Sequence, residues 1–366
     1  MLFRKNIDPR CAYCARGNRI NDEQVACVRR GVVPASDRCG AFRYDPLKRV
    51  PPRPSWTPPA SPRTISSCDH PYINTENDTE NRGGTFMQPK RVWAVYFSGT
   101  GTTEKTVRRI ASGLAAALSV PLETFDFTPP AARQADLTFG PDELVVLGTP
   151  TYAGRVPNVL LPYLTGKVRG SGTPAVPVVL FGNRAFDDSL MELRNILTAN
   201  GFMPVAAAAF VGEHSFSRTL GAGRPNAADM TQMDNLARAA AQKIQDLAAL
   251  PAVPVPVAGQ EPLRPYYTPR DRHGAPINIL KVKPRTDMTK CSGCGLCAVR
   301  CPMGSIDPAD VSQVNGICIK CCACVKGCPS GAKYFDDPGY LYHQHELEDI
   351  YSRPAENALF AGNFRA

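Results

Sequence analysis

Long apolar runs are missing from this 366-residue chain, and no stretch of eighteen apolar residues occurs, which excludes a membrane-spanning helix. The N-terminal MLFRKNIDPRCAYC has no apolar core, so a secretory signal is not expected. Histidine occurs only five times (His70, His214, His273, His343 and His345), with no spacing that suits a metal. There is no Ser/His/Asp arrangement and no paired-carboxylate signal, which leaves hydrolases of those classes without footing. A Walker G-x4-G-K-[ST] loop is absent. The one glycine-rich first turn carries Glu104 where a Rossmann fingerprint needs glycine, so no NAD(P)H site is expected.

Cysteine and proline are abundant instead. The chain has 14 cysteines, 35 prolines and a formal net charge of +9. Fourteen thiols without an export signal argue against a disulfide scaffold and for metal or redox cofactors in a reducing, cytoplasmic setting. The charge is local. Residues 1–63 hold 13 basic and 5 acidic side chains, while residues 87–366 contribute only +4. A basic balance of that kind raises nucleic acid or an anionic surface as a partner, but here it belongs to one short arm.

Six segments are expected. Residues 1–45 are short, basic and cysteine-containing. Residues 46–86 open with seven prolines and continue through a polar stretch that cannot bury a core, so disorder is expected. Residues 90–250 alternate short apolar runs (92–97, 121–127, 144–150, 175–183 and 203–212) with helix-period segments. That pattern predicts an α/β domain with a five-stranded parallel sheet covered on both faces. Residues 251–278 hold seven prolines and read as a second linker, one that lets its neighbours reorient. Residues 280–335 carry nine cysteines. The tail, 336–366, has one expected helix near 342–352.

The cysteine spacing is the strongest signal. Cys291-x2-Cys294-x2-Cys297-x3-Cys301-Pro302 is followed by Cys318-x2-Cys321-x2-Cys324-x3-Cys328-Pro329. Each run resembles the C-x2-C-x2-C-x3-C-P motif of bacterial ferredoxins with two [4Fe–4S] clusters. The resemblance implies that the fourth cysteine of each run crosses to the other cluster. Cys291, Cys294, Cys297 and Cys328 are then expected to hold one cluster, and Cys318, Cys321, Cys324 and Cys301 the other. Cys322 interrupts the second run and is expected to be an inert neighbour.

Ser98-Gly99-Thr100-Gly101-Thr102-Thr103 lies between the first strand and first helix of the α/β segment, where backbone amides and hydroxyls favour a phosphate. This hydroxyl-rich loop resembles the FMN phosphate loop of flavodoxins. So do Gly148-Thr149-Pro150-Thr151-Tyr152-Ala153-Gly154-Arg155 and Phe181-Gly182-Asn183-Arg184-Ala185-Phe186-Asp187-Asp188 after the third and fourth strands. Residues 90–335 therefore resemble a flavodoxin–ferredoxin fusion. The resemblance implies a doubly wound sheet ordered 2-1-3-4-5 with FMN at its switch point. It nominates Ser98, Gly99, Thr100, Gly101, Thr102 and Thr103 for the phosphate. It nominates Thr149, Pro150, Thr151, Tyr152, Gly154, Arg155, Gly182, Asn183, Arg184, Phe186 and Asp187 around the ring, with Tyr152 and Phe186 packing on it. His214, after the fifth strand, is expected to be a satisfied loop histidine.

Cys11-x2-Cys14-x12-Cys27-x11-Cys39 offers four thiolates, for which zinc, a rubredoxin-like iron or free thiols are the readings. Cys68 is expected to be unliganded. Arg82-Gly83-Gly84 precedes Met87 at the distance of a ribosome-binding sequence, so residues 1–86 are a candidate upstream fusion.

The expected function is electron transfer between two [4Fe–4S] clusters and FMN. Two rivals are a flavin-dependent reductase of a small molecule and a redox-responsive binding protein acting through the basic arm. The expected partner is a redox protein or a small-molecule acceptor, with no membrane span, and nucleic acid is disfavoured. Two clusters at about −2 each and a phosphate of up to about −2 turn residues 87–366 slightly acidic.

Overall fold

The computed structural model describes residues 10–19, 24–27, 29–43 and 87–361. The expected linker 46–86 lies outside them, as do Cys68, His70 and Arg82-Gly83-Gly84. The chain divides into two compact units, residues 1–75 and 76–366.

In the first unit, strands β1 (Gly17–Arg19), β2 (Gln24–Cys27) and β3 (Gly31–Pro34) form an antiparallel sheet. Its small core joins Cys11, Val25, Val33 and Ala35.

The second unit is built on a sheet flanked by helices. In chain order its elements are β4 (Arg91–Tyr96), α1 (Thr102–Leu118), β5 (Leu122–Asp126), β6 (Leu137–Phe139), β7 (Glu143–Pro150), α2 (Leu161–Gly166), β8 (Val168–Gly170), β9 (Thr173–Phe181), α3 (Ser189–Ala199), β10 (Phe202–Pro204), β11 (Ala207–Val211) and α4 (Ala227–Gln245). They continue with β12 (Arg285–Thr286), α5 (Leu296–Val299), α6 (Ala323–Lys326), β13 (Lys333–Tyr334), α7 (Pro338–Ile350) and β14 (Ala358–Phe360).

The main sheet runs β14-β11-β9-β7-β4-β5, with β10 also paired to β9. From β5 to β11 neighbouring strands are parallel. Alternation along the strands explains why helices cover both faces. Val92, Ala94 and Tyr96 of β4 and Leu144 and Val146 of β7 enter the core under α1 and α4. Val95, Val145 and Leu147 enter the opposite core with Leu160, Leu164 and Leu193. Helix α4 starts with a capping box between Asn226 and Asp229, which closes two otherwise unpaired amides.

Two features differ from the expected five-stranded sheet and free linker. The tail does not end at its helix. It returns to the sheet as β14, antiparallel to β11 with Ala207 opposite Phe360. The Asn183 amide holds that return, donating to Tyr351 O (2.6 Å) and Arg353 O (3.0 Å) and accepting from Ala355 N (2.9 Å). Residues 251–278 are docked rather than loose. Val255 is buried, the Tyr266 hydroxyl donates to Val156 O at 2.8 Å, and Tyr267 N donates to Ala153 O at 2.9 Å. Extended proline-rich backbone forms no helix or strand of its own, but apolar and aromatic residues between the prolines anchor it.

The iron–sulfur segment repeats one small plan. Gly295 and Cys322, both left-handed, precede the single-turn helices α5 and α6, and β12 pairs with β13.

Candidate cofactor site

The loop after β4 is shaped by its own hydroxyls. Ser98 N donates to Thr128 Oγ1 (2.7 Å), and Glu104 N donates to Ser98 Oγ (3.1 Å). Gly101 takes the N-cap position of α1 at φ +87°, a conformation that strains any other residue, and it brings no side chain to cap the helix. Of the first-turn amides only Glu104 N finds a side-chain oxygen among the described residues, that of Ser98, which leaves the Thr102 and Thr103 amides for an anion. The Glu104 carboxylate is already engaged, accepting from the Tyr96 hydroxyl (2.9 Å) and from Arg108 Nε (3.0 Å). Burial pushes the Tyr96 phenol up to about 12, so it stays protonated.

The eight motif cysteines divide between two cavities. Cys301, Cys318, Cys321 and Cys324 line one, together with Ile306 and Phe335. Cys291, Cys294, Cys297 and Cys328 line the other, with Leu296 and Val311. Each cavity thus takes three cysteines from one run and the fourth from the other. Backbone amides already point at two sulfurs, from Ala332 N to Cys328 Sγ at 3.3 Å and from Ser305 N to Cys301 Sγ at 3.4 Å. Burial pushes the Cys321 and Cys324 thiols up to about 12. Cys328 goes the other way. Its desolvation is outweighed by bonds from Ser330 and from the amides of Lys333, Ala332 and Ser330, and it falls to about 7. Thiols so buried favour the thiolate only beside compensating cations, which a cluster's iron supplies. Among the described residues no three His, Cys, Asp or Glu side chains converge on a single ion. A cubane asks for something else, four thiolates spread around a larger body.

Between the loop and the iron–sulfur segment lies a cleft of about 430 Å³. One wall is Ser98, Gly99, Thr100 and Gly101, with Glu104, Asp126 and Thr128 beside them. The opposing wall includes Val299, Arg300, Cys301, Pro302, Ala323 and Lys326. Its volume is within the range of small-molecule and cofactor sites. Cys301 lines both this cleft and the first cysteine cavity.

A family model described as a 4Fe-4S binding domain matches residues 284–307. The chain thus joins a parallel sheet ordered β5-β4-β7-β9-β11 to a region that matches a 4Fe-4S binding domain. Solved structures with a similar fold include a flavodoxin from the Archaea, at 15% identity and TM-score 0.31 over 42% of this chain and 99% of that one. Rubredoxin oxygen:oxidoreductase from Desulfovibrio gigas is 17% identical at TM-score 0.31, over 44% of this chain and 37% of that one. A Streptococcus pneumoniae flavodoxin is 17% identical at TM-score 0.28, over 40% and 94%. No curated protein matches the chain.

Of the three nominated loops, the one after β4 lines this cleft. Ser98 to Gly101 line it, with Thr102 and Thr103 in the first turn of α1, but none of the ring-side residues from Thr149 to Asp187 does. Those residues have other partners. Arg155 pairs with Glu192 (2.6 Å) and donates to Arg264 O (2.6 Å), and Thr151 Oγ1 meets Ser189 Oγ at 2.7 Å. Arg184 pairs with Asp187 and lies over the Tyr267 ring, while Asn183 holds the tail. Phe186 packs on Phe181, with ring centroids 5.5 Å apart. Pro150 ends β7, and Gly154 and Gly182 closely back Asp187 and His214. Tyr152 is the exception in one respect, because its phenol faces Cys321, Cys322 and Cys318 and is held well above its ordinary pKa by burial first and those thiols second. Thr149 Oγ1 is fully buried without a partner among the described residues. An unmet hydroxyl at the carboxyl end of β7 and open amides at α1 fit a polar cofactor at this edge.

Arg300 and Lys326 fill variable positions of the two cysteine runs, and Asp126 and Thr128 lie outside every motif, so spacing alone does not single them out. Cys322 is buried, with its sulfur 3.4 Å from the Tyr340 hydroxyl and 3.5 Å from Lys320 O. His214 Nδ1 accepts from Phe216 N at 3.1 Å. Burial, then Lys326, His343 and Arg184, push its pKa down to about 3.

In the first unit Cys11 and Cys14 are buried, and Cys27 and Cys39 half-buried. Burial is the main force raising the Cys11 thiol, with Asp37, Cys39 and Cys27 adding to it. Three of the four thiols are thus near one another without the convergence a single ion needs among the described residues. No helix among the described residues is long and apolar enough to cross a membrane.

Proposed function

We propose that this protein is an iron–sulfur flavoprotein that relays electrons between two [4Fe–4S] clusters and FMN. The observation that carries the reading is the double position of Cys301, which lines a cysteine cavity and the cleft under the phosphate loop. A cluster in that cavity and a flavin in that cleft share a wall. The clusters exchange one electron at a time and FMN one or two, so their junction converts between single-electron and two-electron traffic.

The chain's own residues set the arrangement. Cys301, Cys318, Cys321 and Cys324 hold the cluster near the cleft, and Cys291, Cys294, Cys297 and Cys328 the remote one. Residues 98–103 receive the flavin phosphate, with Ser98 and Thr128 fixing the loop. The Lys326 ammonium, bonded to Glu213 and His214 O, ties α6 to the loop after β11. Together with the docked 251–278 segment and β14, it fixes the domain interface.

Cys294 is exposed, which makes the remote cavity the entry point for a redox partner. A four-thiolate zinc or iron centre at Cys11, Cys14, Cys27 and Cys39 remains part of the proposal for the first unit.

Anaerobic purification with flavin, iron and sulfide assays tests the reading. About eight irons and one FMN per chain are expected. Full iron without flavin would reduce the protein to a ferredoxin with a flavodoxin-like scaffold.

A further inference from the structure

Both cationic residues lining the cleft, Arg300 and Lys326, come from the iron–sulfur side. They are not equivalent. Lys326 spends its charge on Glu213 and also donates to His214 O at 2.6 Å. Arg300 has no side-chain hydrogen bond or ion pair among the described residues, and only its backbone N–H is bonded, to Leu296 O at 3.0 Å. Its place is nevertheless prepared. The guanidinium lies against α6, where a Cβ at position 327 would stand 2.6 Å from Arg300 Nη1, and the 2.7 Å approach of that Cβ to Ala323 O favours glycine there.

The facing wall has charges of its own. Glu104 is balanced by Arg108, and the Asp126 carboxylate accepts from Thr128 N at 2.8 Å. What remains without a protein partner among the described residues is the pair of Thr102 and Thr103 amides of α1, beside the lining residues Ser98 to Gly101, and the exposed Arg300 guanidinium that lines the same cleft. A phosphate ester suits both, because its oxygens accept from amides and from a guanidinium together.

We propose that Arg300 is a phosphate-binding residue of the flavin site, supplied by the iron–sulfur domain to the cleft of its flavodoxin-like neighbour. The proposal rests on the flavoprotein reading above. It makes the flavin site incomplete until the second domain is docked, so cluster loading and flavin retention are coupled.

Titration of the flavin-depleted, iron-loaded full chain with FMN and with riboflavin isolates the phosphate contact, because riboflavin lacks that group. Arg300→Ala is expected to weaken FMN binding about 10- to 100-fold. Riboflavin affinity and iron content should stay at wild-type levels, and Arg300→Lys should recover most of the loss. Unchanged FMN affinity, an equal loss for FMN and riboflavin, or loss of iron from Arg300→Ala would each overturn the assignment. Wild-type protein that binds neither flavin would overturn the flavoprotein reading and this inference with it. FMN binding to wild type with an indifferent Arg300→Ala removes this inference alone.

Discussion

Gly99 and Cys321 touch across the domain interface: a Cβ built on Gly99 would lie 3.1 Å from Cys321 Cβ and 3.5 Å from its sulfur. The loop after β4 and Cys321 are therefore packed together, with no room for an intervening side chain. Glycine here is a matter of space.

Filling that space should separate the two redox sites. Gly99→Val has to displace Cys321, at an overpacking cost of about 1–3 kcal/mol. Stopped-flow measurement of flavin reduction by the clusters, at saturating FMN, should show at least a roughly tenfold slower rate with iron content preserved. A wild-type rate together with a wild-type melting temperature would show that the contact is dispensable.

The crossed ligand sets give a second prediction. Cys301 belongs to the first run in sequence but to the second run's cavity in space. Cys301→Ala and Cys318→Ala should therefore damage the same cluster, each leaving about four of about eight irons and the same residual electron-resonance spectrum. Cys328→Ala should leave the complementary cluster. If Cys301→Ala instead matched Cys291→Ala, the crossing would be wrong.

Local chemistry was legible in the sequence where spacing alone determines it. The two cysteine runs fix their own loops, and Ser98 to Thr103 announce a helix N-terminus. Strand alternation from Val92 to Val211 showed a sheet covered on both faces. Legibility failed where tertiary contacts decide. The proline-rich 251–278 segment looks like a linker by composition, and only packing shows Val255 and Tyr266 as anchors. Asn183 sits in a flavodoxin-like loop, yet its amide is spent on a tail that lies 168 to 172 residues further on. Arg300 occupies a variable position of the first cysteine run, just before Cys301, so its place in the cleft lined by Ser98 to Gly101 follows only from tertiary packing.

The docked segment makes a third prediction. Asp188 is fully buried and accepts from Gln260 N (2.9 Å), from Arg264 N (2.7 Å) and from the Arg264 guanidinium, whose Nε is at 2.9 Å. The Arg264 guanidinium first, then the two amides, hold its pKa near 2 against burial, so its native pKa lies below the ordinary 3.8. Its stabilisation is present above about pH 4 and lost as pH falls through 2. Asp188→Ala should cost about 2 kcal/mol, discounted because Arg264 is half exposed. Limited trypsin digestion should then cut faster than in the wild type at Arg270, which, unlike Arg264, no proline follows. Unaltered digestion would mean the segment is held by its apolar anchors alone.

The fourth prediction concerns His343 on α7. Its ring is buried, packed against Phe216 and Tyr267, and its Nδ1 has no hydrogen-bond partner among the described residues. Glu346 lies 3.9 Å away, but desolvation, with Arg184 adding to it, prevails and pushes the pKa down to about 4. The native pKa is thus below the ordinary 6.5, so the unfolded chain binds the extra proton as pH falls. Stability linked to this histidine is complete above about pH 6.5 and declines down to about pH 4, by on the order of 1–3 kcal/mol in total. Because acid also attacks iron–sulfur centres, the measurement compares wild type with His343→Phe at each pH by urea unfolding. The variant should lose that part of the slope between pH 6.5 and 4 while keeping the stacking with Phe216 and Tyr267. Parallel stability curves for the two proteins would show that His343 titrates alike in the folded and unfolded chain, with Glu346 offsetting burial.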